Sequence, residues 1–195
     1  MSKGGKASKE VARRSEGIDG GLYCIGVLAL GLATLGPRLA QQLQLGRHEN
    51  KPFQTFEDFY PFYLSQHQDE TCRHLHYIGS IIIILMAAMN KNVAIALAIA
   101  AAAGYGFMHL TAFVEHGVFE FAFVMFVYLI ARKRLDGTSF KKAALVPLVG
   151  YAFAWAGHNF FEHNRPATFI YPVFSLMGDY RMLYDFINSC FTGHA

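Results

Sequence analysis

Residues 95–103 read IALAIAAAA, and a helix built from them shows no polar face however it is turned. The stretch belongs to one of five apolar runs, at 21–36, 78–89, 93–114, 118–131 and 143–161. A soluble bundle would need a polar stripe on each helix, and the chain has little to build one from. It is 53% hydrophobic and 16% charged, against about 25% charged in ordinary soluble domains. Most of the runs fall short of the ~20 residues of a spanning helix. One unbroken helix over 93–131 would nevertheless be ~58 Å long, about twice the ~30 Å hydrocarbon core, so a break is required. Asn90-Lys91-Asn92 and Glu115-His116-Gly117 are the natural turns. The expected fold is all-α, a multipass transmembrane helical bundle of short helical hairpins with an interfacial helix.

Three divisions follow. A basic tail over 1–20 lacks periodicity and is expected to be disordered. Residues 21–52 hold an apolar segment, ended by Gly36-Pro37, and a polar linker; the membrane domain is 53–195. Segment 21–36 suits a signal anchor or a helix lying on the membrane. A cleaved signal peptide suits it less, because the polar leader is long and no small-x-small site follows. Basic residues gather at Lys3, Lys6, Lys9, Arg13 and Arg14, and again from Arg132 to Arg134 with Lys141 and Lys142, as cytoplasmic flanks do. No aromatic-interleaved basic patch accompanies them, so nucleic acid is not expected as a partner. Cys24, Cys72 and Cys190 suggest neither a disulfide framework nor a thiolate metal site. Oligomeric state is left open.

Chemistry-bearing residues stand at the edges of the apolar runs. Thr55 and Asp58 form a capping box for a helix carrying Phe56, Phe59, Tyr60, Tyr63 and Leu64, with Pro61 to bend it. Beside membrane spans, that aromatic stripe reads as a helix lying at the interface. His67 and His76 would lie ~180° apart on one continuous helix. Asp69 and Thr71 are good N-caps, however, so a break there and a new helix near Cys72 would let His67 fold back toward His76. His158 and Glu162, four apart, share a helix face, either as ligands of one metal ion or as a hydrogen-bonded pair. If the four runs from 78 to 161 each cross, His67/His76, His116 and His158/Glu162 all finish on one side, and ionisable groups so placed call for a function. Histidines with a carboxylate and no cysteine favour iron or zinc over magnesium, and two His plus one carboxylate is the set of non-haem Fe(II) oxygenases. The sequence has no G-x-S-x-G elbow, H-E-x-x-H motif or Gly-rich phosphate loop. Beyond 161 the chain reads as a polar-aromatic tail.

Residues 53–79, FQTFEDFYPFYLSQHQDETCRHLHYIG, and 150–182, GYAFAWAGHNFFEHNRPATFIYPVFSLMGDYRM, together resemble the family of membrane proteins typified by the fungal 2-hydroxy fatty acid dioxygenase. The motifs are Y-L-x-x-H with a second His nine residues on, and G-H-x-x-F-E-x-x-x-P-A. The resemblance implies an Fe(2+)-dependent dioxygenase, an oxidoreductase that shortens long-chain 2-hydroxy fatty acids by one carbon through α-oxidation with O2. It further implies a place among the lipids of the endoplasmic reticulum membrane, in a eukaryote, and a role in lipid and sphingoid-base degradation.

Carried over by position, the resemblance puts His67, His76, His158 and Glu162 at the catalytic iron, with Glu162 either a fourth ligand or a partner fixing an imidazole. It gives no ligand role to His74 or His163. Residues 108–149 look inserted relative to short members, so His109, His116 and Glu120 inherit nothing. Arg165 could hold the substrate carboxylate or meet lipid phosphate. The competing reading is a non-catalytic membrane scaffold or lipid-binding module whose histidines merely pack and hydrogen-bond helices.

Overall fold

The computed structural model describes residues 3–192, with side chains from Gly20 onward. Most of the tail at 1–20 therefore lies outside the described side chains. Among the described residues there are seven α-helices and no strand: α1 (Lys3–Gln42), α2 (Phe56–Ser65), α3 (Glu70–Met89), α4 (Lys91–Leu110), α5 (Val118–Asp136), α6 (Phe140–Gly157) and α7 (Pro172–Thr192). A π-helical turn, His158–Glu162, follows α6, and a 3-10 turn, Ala167–Phe169, precedes α7. The all-helical expectation holds. Three segments are long and apolar enough to cross a membrane: Gly20–Gln42, Glu70–Met89 and Lys91–Leu110. Helices α5 and α6, counted as crossings from the apolar runs, are not among them.

Local chemistry explains the boundaries. Thr55 caps α2 as expected, accepting from the Asp58 amide at 3.1 Å, but the Asp58 carboxylate accepts from the Thr55 hydroxyl at 2.7 Å and not from its amide, so the box is half formed. Asp69 caps α3 by accepting from the Cys72 amide at 3.0 Å, so the helix begins two residues earlier than Cys72. Asn90 alone separates α3 from α4, its side chain accepting from the Asn92 amide. Gly137, at φ 71°, ends α5 in the left-handed region, and Ser139 then caps α6. These short connections make α3, α4, α5 and α6 run alternately up and down. The starts of α3 and α5 thus share one end of the bundle with the ends of α4 and α6.

Two elements depart from the sequence reading. The first helix passes straight through Gly36-Pro37 to Gln42. Its reward is close packing on α4, where Gly36 meets Gly106 backbone to backbone and a Cβ on either glycine would strike the other helix. The second departure is the supposed tail, which is a full helix. In α7, Phe174, Gly178 and Met182 form one buried row and Ser175 and Leu183 belong to the adjacent one, while Met177, Tyr184, Ile187 and Phe191 are exposed. The row was hidden because Asp179, Tyr180 and Arg181 interrupt the apolar pattern.

The 43–55 linker is held as well. Lys51 is 2% exposed and its Nζ meets Glu120 Oε1 at 2.5 Å, while Thr111 donates to the same oxygen at 2.8 Å. Leaving either charge without the other would cost several kcal/mol, so this pair pins the linker to the start of α5.

Candidate metal centre

Three histidines come together at the end of the bundle where α3 starts and α6 stops. His67 stands in the break between α2 and α3, His76 on the second turn of α3, and His158 at the first position of the π-helical turn. Each is buried, and one ring nitrogen from each lies within 4.8 Å of the others. The ring centroids are 4.5 Å apart for His67 and His76, 4.7 Å for His67 and His158, and 5.2 Å for His76 and His158.

The far side of each ring is tied to an acceptor. His67 Nδ1 donates to the Tyr63 carbonyl at 2.7 Å, His76 Nδ1 to Asp179 Oδ1 at 2.6 Å, and His158 Nδ1 to Asn164 Oδ1 at 2.6 Å. The Asn164 amide is oriented because its Nδ2 donates to the Gln66 carbonyl at 2.9 Å. A carbonyl, a carboxylate and an amide oxygen only accept, so each ring carries a proton on Nδ1 and has Nε2 free to serve as a ligand atom. His67 Nε2 and His76 Nε2 are buried without a partner. Buried lone pairs left unsatisfied in a converging set are what a bound cation would satisfy, so the residues fit a metal ion. Burial, reinforced by the neighbouring His76, pushes the His67 imidazole down to about 3, which keeps it neutral and able to ligate.

The supporting elements follow from the sequence. Residues 158–162 widen into a π turn, and His163, at φ 53°, ends it in the left-handed region and sends the chain on to Asn164. On α7, Gly178 lies under the Tyr63 ring, where a Cβ would come 2.8 Å from it. That close approach lets the adjacent Asp179 reach both His76 and the Tyr63 hydroxyl, the latter at 2.6 Å. Burial, then Asp179, hold the Tyr63 phenol well above its ordinary pKa, so it remains a donor.

The other expected site residues stand apart from the three nitrogens. Glu162 is not in the group; its Oε1 accepts from the Asp69 amide at 2.7 Å, at the break that brings His67 round. Arg165 is exposed and does not line the adjoining cavity. His74 packs on Tyr77 and Phe186, and His163 is exposed. His116 supplies a backbone carbonyl to Lys51, Glu120 is the partner of that lysine, and His109 packs against Tyr105. Sequence reasoning missed Asp179 and Asn164. Both lie within the stretch 150–182, and an aspartate flanked by Gly178 and Tyr180 in an aromatic-rich segment was the available signal.

The histidines open onto a cavity of about 310 Å³ lined by α3, α4, α5 and α6, with Ser175, Asp179 and Tyr180 of α7 also in its lining. Ser175 Oγ is buried there without a partner.

Neither the curated proteins nor the solved structures gave a match to the chain. A family match does exist, to the 2-hydroxy-palmitic acid dioxygenase Mpo1-like family, over residues 53–123 and 120–190. The two stretches overlap at 120–123. All three clustered histidines and both side chains that anchor them fall inside it, and the chain belongs to the Mpo1-like family.

Proposed function

We propose that this protein is an Fe(2+)-dependent, multipass membrane dioxygenase that converts long-chain 2-hydroxy fatty acids to fatty acids one carbon shorter, in the endoplasmic reticulum membrane. The observation that carries the reading is the convergence of three buried imidazole nitrogens on the polar end of an otherwise apolar cavity. Family membership supports the reaction class, and the three lipid-compatible helices support the setting. The reaction closes on one O2: R-CH(OH)-COOH and O2 give R-COOH, CO2 and water. The bond between C1 and C2 breaks, C2 gives up three electrons and C1 one, and O2 takes all four. No 2-oxo acid co-substrate is needed.

His67, His76 and His158 would hold the iron. Iron held there would supply the redox chemistry by which O2 attacks a 2-hydroxy acid. Asp179, Asn164 and the Tyr63 carbonyl keep the imidazoles aimed, so little reorganisation is needed on loading. The apolar walls receive the acyl tail and keep water from the reacting carbons. Ser175, one turn from Asp179, offers its hydroxyl to the head of the substrate. Glu162 acts as a positioning residue at the α2–α3 break, and Arg165 meets lipid phosphate or an arriving carboxylate at the membrane surface.

The test is metal content together with turnover. Purified protein should hold stoichiometric iron and convert 2-hydroxypalmitate to pentadecanoate only with O2, with little action on palmitate or 3-hydroxypalmitate. Equal rates on palmitate, or undiminished turnover after iron removal, would overturn the reading. Zinc in place of iron would do so too, since a three-histidine set also suits zinc. A folded protein without metal affinity would favour the scaffold alternative.

A further inference from the structure

The cavity beside the histidines has a floor. Helix α3 packs along α6 and α4 along α5, and the cavity lies between the two pairs. Chain direction orders its lining. α6 runs toward the metal centre and is followed by His158, so Val146 is its deepest lining residue, ~18 Å from His158 at 1.5 Å per residue. α5 runs away from that end, and its deepest lining residue is Tyr128; on α3 and α4 the corresponding residues are Ile83 and Leu97.

Below this level Ile83, Tyr128 and Val146 join Val93, Ala96 and Ala143 in a packed core. Tyr128 is 2% exposed, and its hydroxyl donates to the Ala143 carbonyl at 3.3 Å, which pins the side chain to the start of α6. Above it Ser80, Ala98, Ala101 and Ala154 put small side chains on the walls, while Gly79 and Gly150 let α3 and α6 pack closely, a Cβ on Gly79 meeting Phe153 at 3.1 Å and one on Gly150 meeting Ile83 at 3.4 Å. A narrow chamber with mainly apolar walls and the three histidines at one end has the shape and chemistry of one extended acyl chain with its head at the histidines.

We infer that this chamber is the acyl-tail site and that Tyr128, as its floor, sets the longest chain the protein accepts. The inference rests on the fatty-acid reading of the metal centre. A tail that overruns the floor must overpack a closed core, which costs about tenfold or more in binding. Tails that fit are not sorted steeply, because in detergent or lipid a methylene gains little by moving from one apolar medium to another. The signature is therefore a cut-off in length and not a slope.

The experiment measures kcat/KM for a graded series of saturated 2-hydroxy acids on the iron-loaded protein. In parallel, displacement of a fluorescent fatty acid by the same series is followed on iron-free protein. Tyr128→Ala should move the cut-off to longer chains, with at least a tenfold relative gain for acids just beyond the wild-type limit. Ala101→Phe, halfway up the wall, should move it to shorter chains, and it carries the test if Tyr128→Ala fails to fold. Tyr128→Phe keeps the ring and should keep the wild-type limit. An unchanged length profile in both Tyr128→Ala and Ala101→Phe would overturn the inference, even with the oxidation intact. Displacement whose cut-off shifts with the variants, without any turnover, would keep the chamber and overturn the proposed reaction instead.

Discussion

Asp179 touches no metal position, yet its carboxylate decides which nitrogen of His76 faces inward. Asp179→Asn can still accept from Nδ1 but carries no charge, so metal affinity should fall by about 10–100-fold with the fold retained, as read by metal titration and melting. His67→Ala, His76→Ala and His158→Ala should each abolish metal binding and turnover at near-normal expression, whereas His74→Ala and His163→Ala should be mild. Full activity in any of the first three would remove that residue from the site. Acid should act through His67. Its folded-state pKa, about 3, lies below the ordinary 6.5, so between these values the unfolded chain binds the extra proton. The stability of the metal-free protein should therefore fall as pH drops from about 6.5 toward 3, in a melting series. Of these residues, the three histidines were legible in the sequence because each sits at the edge of an apolar run. Asp179 and Asn164 were not, since their importance lies in what they touch across gaps of 103 and 98 residues, at His76 and the Gln66 carbonyl.

Among the elements, those with strong local signals were readable. The Thr55 cap, the Asp69 cap and the Asn90 turn are side chains bonding to backbone within three residues, and all three recur in the structure. The end of α1 was misread because a Gly-Pro pair normally stops a helix, while tertiary packing of Gly36 on Gly106 overrides that signal here. This crossing is testable by itself. Gly106→Leu should force α1 off α4 and lower thermal stability by about 1–3 kcal/mol or more. Iron content and turnover should be lost far less, because the histidines and their anchors lie on other elements. Equal loss of metal and of stability would mean that α1 supports the site directly.

At the scale of the molecule, the alternating helices set a topology that labelling can read. Cysteine probes at Gln68, His116 and His163 should react from one side of the membrane, and a probe at Lys91 from the other, since the first three share the histidine end of the bundle. Labelling of positions 68 and 163 from opposite sides would make one of the intervening helices re-entrant. Such arguments come from counting apolar runs, and the sequence supports them; how the helices pair, and hence the chamber between the pairs, it does not show. The wide separation of the ligands along the chain also bears on how the protein is made. A nascent chain that has emerged as far as α5 presents only His67 and His76 of the three clustered histidines, before Asn164 and Asp179 have emerged. Two unsupported imidazoles make a poor site, so under the proposed function iron capture would wait until α6 and α7 have docked. Under that proposal the chain would gain its metal only once the cavity beside the histidines has formed.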